Sequence, residues 1–464
     1  MRVFGVLVLG FLLQSCADRP VSPGLIRMSE LGTQRSSIPV RAITHFHTPY
    51  SFDACDGEGI LADGSPDSKC WDHARRAFCE NHIDYIFATD HVDRMAETPF
   101  QDLALLRPGD TLLMNGADPV GNRMSCADGF APVLLPGLEG KWLALGMQRH
   151  IPGDLATRQA TYGADDAASK NALENDAGAL VAVPHTESRD FANLLALAPS
   201  AIEIYNLHAN LDPKIRKKYL GRPPFEKLGA LLNYLADPYK ELNPDYMLLD
   251  FLEFNPVYFQ TWNRLLAAGV QVTGLGGLDS HENIFSQKAA DGERLDHHRR
   301  MTRFINNWVL TAADDADSVK QAIAGGRVYF VVEGLGTPTL PDFHARWLNG
   351  GAGTLIEMGG TLTPGAFSSE LVFTTPSVHR TFPGMSDGDE KPAIRSELIR
   401  VDASGVESVV GRGGGSLSFT DPPAGHYRIQ VWIRPRHLKE YLFDEDRGDE
   451  EFLWIISNPI RVVR

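Results

Sequence analysis

Two histidines separated by one residue, His45 and His47, close an apolar run in the stretch AITHFHTPYSFDA, and Asp53 follows them. Positions i and i+2 of an extended strand face the same way, so an H-x-H pair can grip one cation from one side. The theme recurs along the chain. His91 ends FATDH, Glu139 ends LPGLE, His185 ends VPH, and Asp279 and His281 repeat the i, i+2 spacing in GLDSH. His150 is a further candidate, with His208, two residues after Asn206, as its substitute. Imidazole and carboxylate are the donors that suit zinc, manganese and iron. A carboxylate can bridge two ions through its two oxygens, which is the use expected of Glu139.

These residues need elements that deliver them to one place. VRAITHF, which ends at the opening histidines, and IDYIFATDH, APVLLPGLE, ALVAVPH, AIEIYN and VQVTGLGGLDSH, which each end in a polar residue, are short continuous apolar runs. Such runs fit parallel strands covered on both faces. Helical stretches alternate with them: Ser65 to His82 with Ser65 or Asp67 as N-cap, and DDADSVKQAIAGG with aspartates at its start and glycines at its end. The alternation predicts an α/β fold, barrel or doubly wound, with the strand ends forming one face. The segment 207–250 reads as a helical insertion over that face. After about residue 336, SSELVFTTP, SELIRVDASG, AGHYRIQVWI and EEFLWIISNPI predict an antiparallel β-sandwich. His344, His379, His426 and His437 are scattered there and read as ordinary histidines.

Composition excludes some classes. The formal charge is −15 with no Lys/Arg-rich run to offset it, which argues against nucleic acid as a partner. Met1-Arg2, an apolar run from Val3 to Leu13 and then LQSC describe a secretory signal too short to span a bilayer as a helix. The leucine three residues before Cys16 resembles a bacterial lipobox. That resemblance implies a signal over 1–15, a lipid anchor on Cys16 as the sole membrane contact, and an exported protein facing the periplasm. Residues 16–39 are expected to form a flexible tether. Cys55, Cys70, Cys79 and Cys126 remain, which predicts two disulfides in one of three pairings. No C-x-x-C pair supports a cysteine zinc site.

Taken in order, HFHTPYSFD, FATDH, LPGLEG, VPH, IEIYN and GLDSH resemble the PHP (polymerase and histidinol phosphatase) superfamily. Within it, the chain is most similar to the carbaryl-hydrolase-like branch of exported metallohydrolases, which also tends to carry a C-terminal β domain ending in a segment like ISNPI. The resemblance implies a distorted (β/α)7 barrel over 40–335, with insertions at 54–70 and 207–250, followed by the β-sandwich over 336–464. It further implies two or three divalent transition-metal ions (zinc, manganese or iron). His45, His47, Glu139 and Asp279 would hold the first. Glu139 would bridge to a second on His185 and either His150 or His208. Asp53, His91 and His281 would hold the third. The chain departs from the family at SFDACDGEG, where residues are inserted; Asp53 keeps the spacing and is preferred over Asp56.

The implied chemistry is hydrolysis of a small molecule by a hydroxide held between two cations. Asp279 or His281 would shuttle the proton, and Glu139 would bridge. A phosphoester is the first substrate class, and a carboxylic ester, carbamate or amide the second. A third reading, a lipoprotein that only binds a ligand, is disfavoured because a binding module has no need of eight metal donors. No Gly-rich phosphate loop, G-x-S-x-G elbow or dinucleotide fingerprint offers a rival chemistry.

Overall fold

Apolar and β-branched residues carry the chain into β1 (Ile38–Phe46), which is buried along all but its first residue. This computed structural model describes residues 24–224, 226–236, 242–348, 355–363, 368–380 and 390–463. The signal segment 1–15 and Cys16 lie outside the described residues. Among the described residues, no helix is long and apolar enough to cross a membrane.

The strands that reach the site form two sheets. In the first, β1 runs parallel to β2 (Tyr85–Ala88), and β2 parallel to β3 (Val133–Pro136). The chain then passes through Gly137 into β4 (Leu138–Glu139), which belongs to the second sheet. A Cβ on Gly137 would lie 2.5 Å from the Ala144 carbonyl oxygen and 2.7 Å from that of Ala88, so only glycine fits the crossing. In the second sheet, β4 pairs antiparallel with β5 (Leu143–Leu145), and β5 antiparallel with β6 (Leu180–Val183). The parallel strands β7 (Ala201–Asn206) and β8 (Thr273–Gly277) complete it.

The two sheets close on each other just beyond their carboxyl ends. The Asp279 N–H donates to the His45 carbonyl at 2.9 Å, the His47 N–H to that of Ser280 at 3.2 Å, and the Glu139 N–H to that of Asp90 at 3.0 Å. These hydrogen bonds set the candidate ligands of different strands side by side.

The architecture is therefore mixed α/β, as expected, but the pairings are not those of an all-parallel ring. β1 also pairs antiparallel with β9 (Asn306–Thr311), and β9 with β10 (Val328–Val331). The expected C-terminal antiparallel strands are present, yet they do not all stand apart. Phe452–Ser457 pairs with β10 and with Gly425–Arg434, which pairs in turn with Ala393–Val401, so the sheet that carries β1 and β2 runs on into the C-terminal region. A separate four-stranded antiparallel sheet includes Asp342–Trp347 and Ser369–Thr374.

The helix α1 (Ser68–Glu80) begins at the N-cap Asp67, whose side chain accepts from the Lys69 N–H. It buries Cys70, Trp71, Ala74, Ala77 and Phe78, a helical stripe facing the sheet. Disulfides hold it at both ends: Cys55–Cys70 and Cys79–Cys126. The insertion 207–250 is largely helical in its described parts and is tied into the body. Pro244–Phe251 is buried except at Asp250, and Asp245 pairs with Arg299, Arg300 and Arg303.

One expectation is corrected. Of the supposed tether 16–39, residues 24–39 pack against the body. Leu25, Ile26 and Met28 are buried, and Arg35 pairs with Asp342 at 2.9 Å and with Glu357. The segment looks polar in composition, but its few apolar residues find a groove. Beside it, the Arg41 guanidinium is fully buried and forks onto Glu333 at 2.7 and 2.8 Å, while its third nitrogen donates to the carbonyls of Ile26 and His82. Glu333 also accepts from Asn306, Trp308 and Thr337.

Removing one partner of such a pair leaves an uncompensated charge. Glu333→Gln is expected to cost about 3–5 kcal/mol, read as a lower denaturation midpoint. An unchanged midpoint would contradict this account of the junction.

Candidate metal centre

Glu139 stands at the end of β4 and Asp279 two residues beyond β8, and imidazoles surround both carboxylates. One Glu139 oxygen lies 3.4 Å from His45 Nε2, 3.3 Å from His47 Nε2 and 3.2 Å from His91 Nδ1. Its other oxygen lies 3.4 Å from His185 Nε2. Asp279 Oδ1 is 3.2 Å from both His45 Nε2 and His47 Nε2, and Oδ2 is 3.5 Å from His185 Nε2. His281 follows, with Nε2 3.5 Å from Asp53 Oδ2, and His91 Nε2 is 3.3 Å from that same oxygen. The structure thus brings together His45, His47, Asp53, His91, Glu139, His185, Asp279 and His281.

Three overlapping donor sets emerge: His45, His47, Glu139 and Asp279; His47, Asp53, His91 and His281; and His208, Asp279 and His281. Four of the atoms at their centre, His45 Nε2, His47 Nε2, Asp279 Oδ1 and His281 Nε2, are buried and make no hydrogen bond. Buried polar atoms are normally satisfied. Lone pairs that converge without partners are what a cation needs, so the residues fit a metal centre.

The outer nitrogens show why the rings point inward. His45 Nδ1 meets Glu203 Oε1 at 2.6 Å, and a carboxylate can only accept, so Nδ1 carries the proton and Nε2 faces the centre. A Cβ on Gly277 would fall 1.9 Å from that Glu203 oxygen, so the glycine makes room for it. His47 Nδ1 meets Ser51 Oγ at 2.6 Å, and Ser51 Oγ also accepts from the His91 N–H. His185 Nδ1 faces Glu187 Oε1 at 3.5 Å. Asn206 donates to Glu203 at 3.2 Å and to Asp279 at 3.3 Å, linking two of these groups. His185 and Asp279 both occupy the left-handed region, at φ 47° and 54°, which is strained backbone at the two strand ends that supply them.

Charge follows the same geometry. Burial alone would raise Glu139 and Asp279, but the surrounding imidazoles hold both carboxyls well below their usual range. Burial opposes a charged His91, yet Asp53, Glu139 and Asp279 outweigh it and lift its pKa to about 9. Burial pushes His281 down, and His47 and His208 add to this, so its ring is neutral.

Two candidates fall elsewhere. His150 is outside the cluster: its Nε2–H donates to the Thr98 carbonyl at 2.9 Å, and Nδ1 faces the Tyr162 hydroxyl at 3.1 Å. Both nitrogens are used, which leaves no lone pair for a cation. Its substitute His208 does reach the site, with Nδ1 2.7 Å from the Asp279 carbonyl and 3.0 Å from His281 Nδ1. Asp56 pairs with Arg294 on the surface, apart from the cluster. Glu203, Ser51 and Glu187 were not anticipated. Of these only Glu203 carried a signal, as a carboxylate in the middle of the apolar strand AIEIYN.

No protein-family model and no curated protein matches the chain. Among solved structures, it is similar to a two-domain protein from Bacteroides vulgatus described as containing a predicted PHP-like metal-dependent phosphoesterase. Identity is 10%, the TM-score is 0.38, and the match covers 94% of this chain and 99% of the other.

Glu203→Gln removes the charge that orients His45 and is expected to weaken metal affinity about 10–100-fold, measured by competition with a chelating dye. A pH series on the unmutated protein makes a second check. The proton held by His91 up to about pH 9 must leave before an ion can bind there. Affinity for that ion should therefore climb roughly tenfold per pH unit from 7 to about 9 and then level off. A pH-independent affinity would exclude His91 as a ligand.

Proposed function

We propose that the chain is a metal-dependent hydrolase, most simply a phosphoesterase, of the PHP superfamily that its motifs resemble. The observation that carries this reading is the convergence of unpartnered buried donors from His45, His47, Asp279 and His281 around two shared carboxylates.

In this reading His45, His47, Glu139 and Asp279 hold one ion. Glu139 and His185 would hold another. Asp53, His91 and His281 hold a third where it is present. Zinc, manganese and iron all suit this donor set. When bound, such ions supply Lewis acidity and lower the pKa of water.

The chain's own residues do the rest. Glu203 fixes the tautomer of His45, and Ser51 orients the His47 ring. Asp279 stays ionised and keeps the imidazoles oriented. With two ions held, His281 Nε2 and Asp53 remain available for the proton, 3.5 Å apart. Asp53 is open to solvent and can pass the proton outward. The same arrangement serves a carbonyl carbon, so a carboxylic ester, carbamate or amide is the alternative substrate class.

The seven-fold barrel description and the place in the cell belong to the same proposal. Two disulfides support an oxidising compartment. A lipid anchor on Cys16 would hold the enzyme at the cell envelope, with a small-molecule substrate and no nucleic acid.

Nitrophenyl phosphate, bis-nitrophenyl phosphate and nitrophenyl acetate, each assayed with and without manganese or zinc, separate the two substrate classes. Metal-dependent release from a phosphate ester, abolished together with bound metal in His45→Ala/His47→Ala, is the expected result. Full turnover in that double variant would sink the assignment.

A further inference from the structure

Asp279 supplies its carboxylate to two of the donor sets from a backbone in the left-handed region. Such a conformation is uncommon for a residue other than glycine and persists where the surroundings fix it. The Asp279 N–H is held by the His45 carbonyl at 2.9 Å. Its own carbonyl meets His208, whose Nδ1 lies 2.7 Å from the oxygen. His281, two residues on, brings its Nδ1 to the same oxygen at 2.9 Å. The two ring nitrogens are 3.0 Å apart, which suits two donors sharing one oxygen with two lone pairs.

A carbonyl oxygen can only accept, so each Nδ1 carries the proton. For His281 this leaves the lone pair on Nε2, the buried atom without a hydrogen bond that faces Asp53 at 3.5 Å. For His208 the consequence is the opposite. The nitrogen it turns to the cluster is the protonated one, while Nε2 faces Asp212 Oδ2 at 3.8 Å, four residues along the chain. His208, Asp279 and His281 are close enough to form a donor set, but the lone pair that His208 would have to offer there is occupied by hydrogen.

His208 is instead built in as a brace. It is 4% exposed and belongs to the short helix Leu207–Leu211, which is buried at every residue. Asn206 caps that helix by accepting from the Ala209 N–H at 2.8 Å, and it also donates to Asp279 Oδ2 at 3.3 Å. The His208 ring meets that of His281 edge-on, with centroids 4.7 Å apart, and His281 in turn stacks on His47 at 3.7 Å.

We infer that His208 is a positioning residue rather than a ligand: it locks the Asp279 carbonyl and the His281 ring so that the Asp279 carboxylate and His281 Nε2 face the ions. This rests on the metal reading of the cluster and needs no turnover. It leaves Glu139 and His185 as the chain's donors to the second ion.

Cobalt(II) is the probe, with affinity read by competition with a chelating dye and ligand geometry by visible absorption. His208→Asn keeps an N–H donor at the Nδ1 position and removes Nε2, whereas His208→Leu keeps the bulk without a donor. Circular dichroism checks the fold of each. The unmutated protein and His208→Asn should bind the same number of ions with the same spectrum and affinity. His208→Leu should bind that number about 10–100-fold more weakly and with a changed spectrum. If His208→Leu does not fold, His208→Gln, whose amide reaches past the carbonyl, takes its place with the same expectation. Loss of one bound ion in His208→Asn would make His208 a ligand and overturn the inference. Unmutated behaviour in His208→Leu would overturn it too, as would an equal loss in both variants, which is what a packing role alone gives. Hydrolysis of the nitrophenyl esters is scored separately, so absent turnover in a protein that binds cobalt as expected counts against the hydrolase reading alone.

Discussion

Two buried carboxylates, Glu139 and Asp279, govern the architecture around them. Charges of that kind cannot sit in a protein interior without compensation. Compensation here comes from imidazoles on five different stretches of chain. Those stretches must end at one point, and this requires two sheets to meet at their carboxyl ends rather than merely to pack. The backbone hydrogen bonds from Asp279 to His45, from His47 to Ser280 and from Glu139 to Asp90 are the seam. The glycine crossing at Gly137 lets one continuous stretch serve both sheets. Strain at Asp279 is held by the seam itself, and at His185 by its N–H, which donates to the Glu203 carboxylate at 2.8 Å.

Much of this was legible in the sequence because it depends on local rules. H-x-H and D-S-H point two side chains one way whenever the backbone is extended, and apolar runs ending in polar residues marked the strands. The eight donors so identified lie together. His150 failed because its spacing carried no information about its neighbours: a histidine near a tyrosine and a free carbonyl is satisfied without a cation. Glu203 and Ser51 act through another residue, and nothing in their own spacing reveals the ring they orient. Glu187 follows His185 too closely to suggest that its side chain turns back.

The larger misreadings concern pairing at a distance. An antiparallel C-terminal region was foreseen, but not that Phe452–Ser457 would extend the sheet of β1 and β2, since the free edge of β10 is a property of the folded sheet. The same holds for residues 24–39. Polar composition suggested a tether, whereas three apolar side chains and the carbonyl of Ile26, which caps the buried Arg41, fix the segment in place. The buried pairing of Asp245 with three arginines likewise turns what read as an added cap into part of the body.

The disulfide between Cys55 and Cys70 has a bearing on divergence. It pins both ends of the stretch between them, one beside Asp53 and the other on α1. The residues in between include Glu58, Leu61, Asp63 and Gly64, which face solvent and contribute nothing to the cluster. That stretch can lengthen, shorten or change its chemistry without displacing the ligand at its root. A surface segment anchored in this way can be rewritten over generations while the buried donor cluster beside its first anchor keeps its shape.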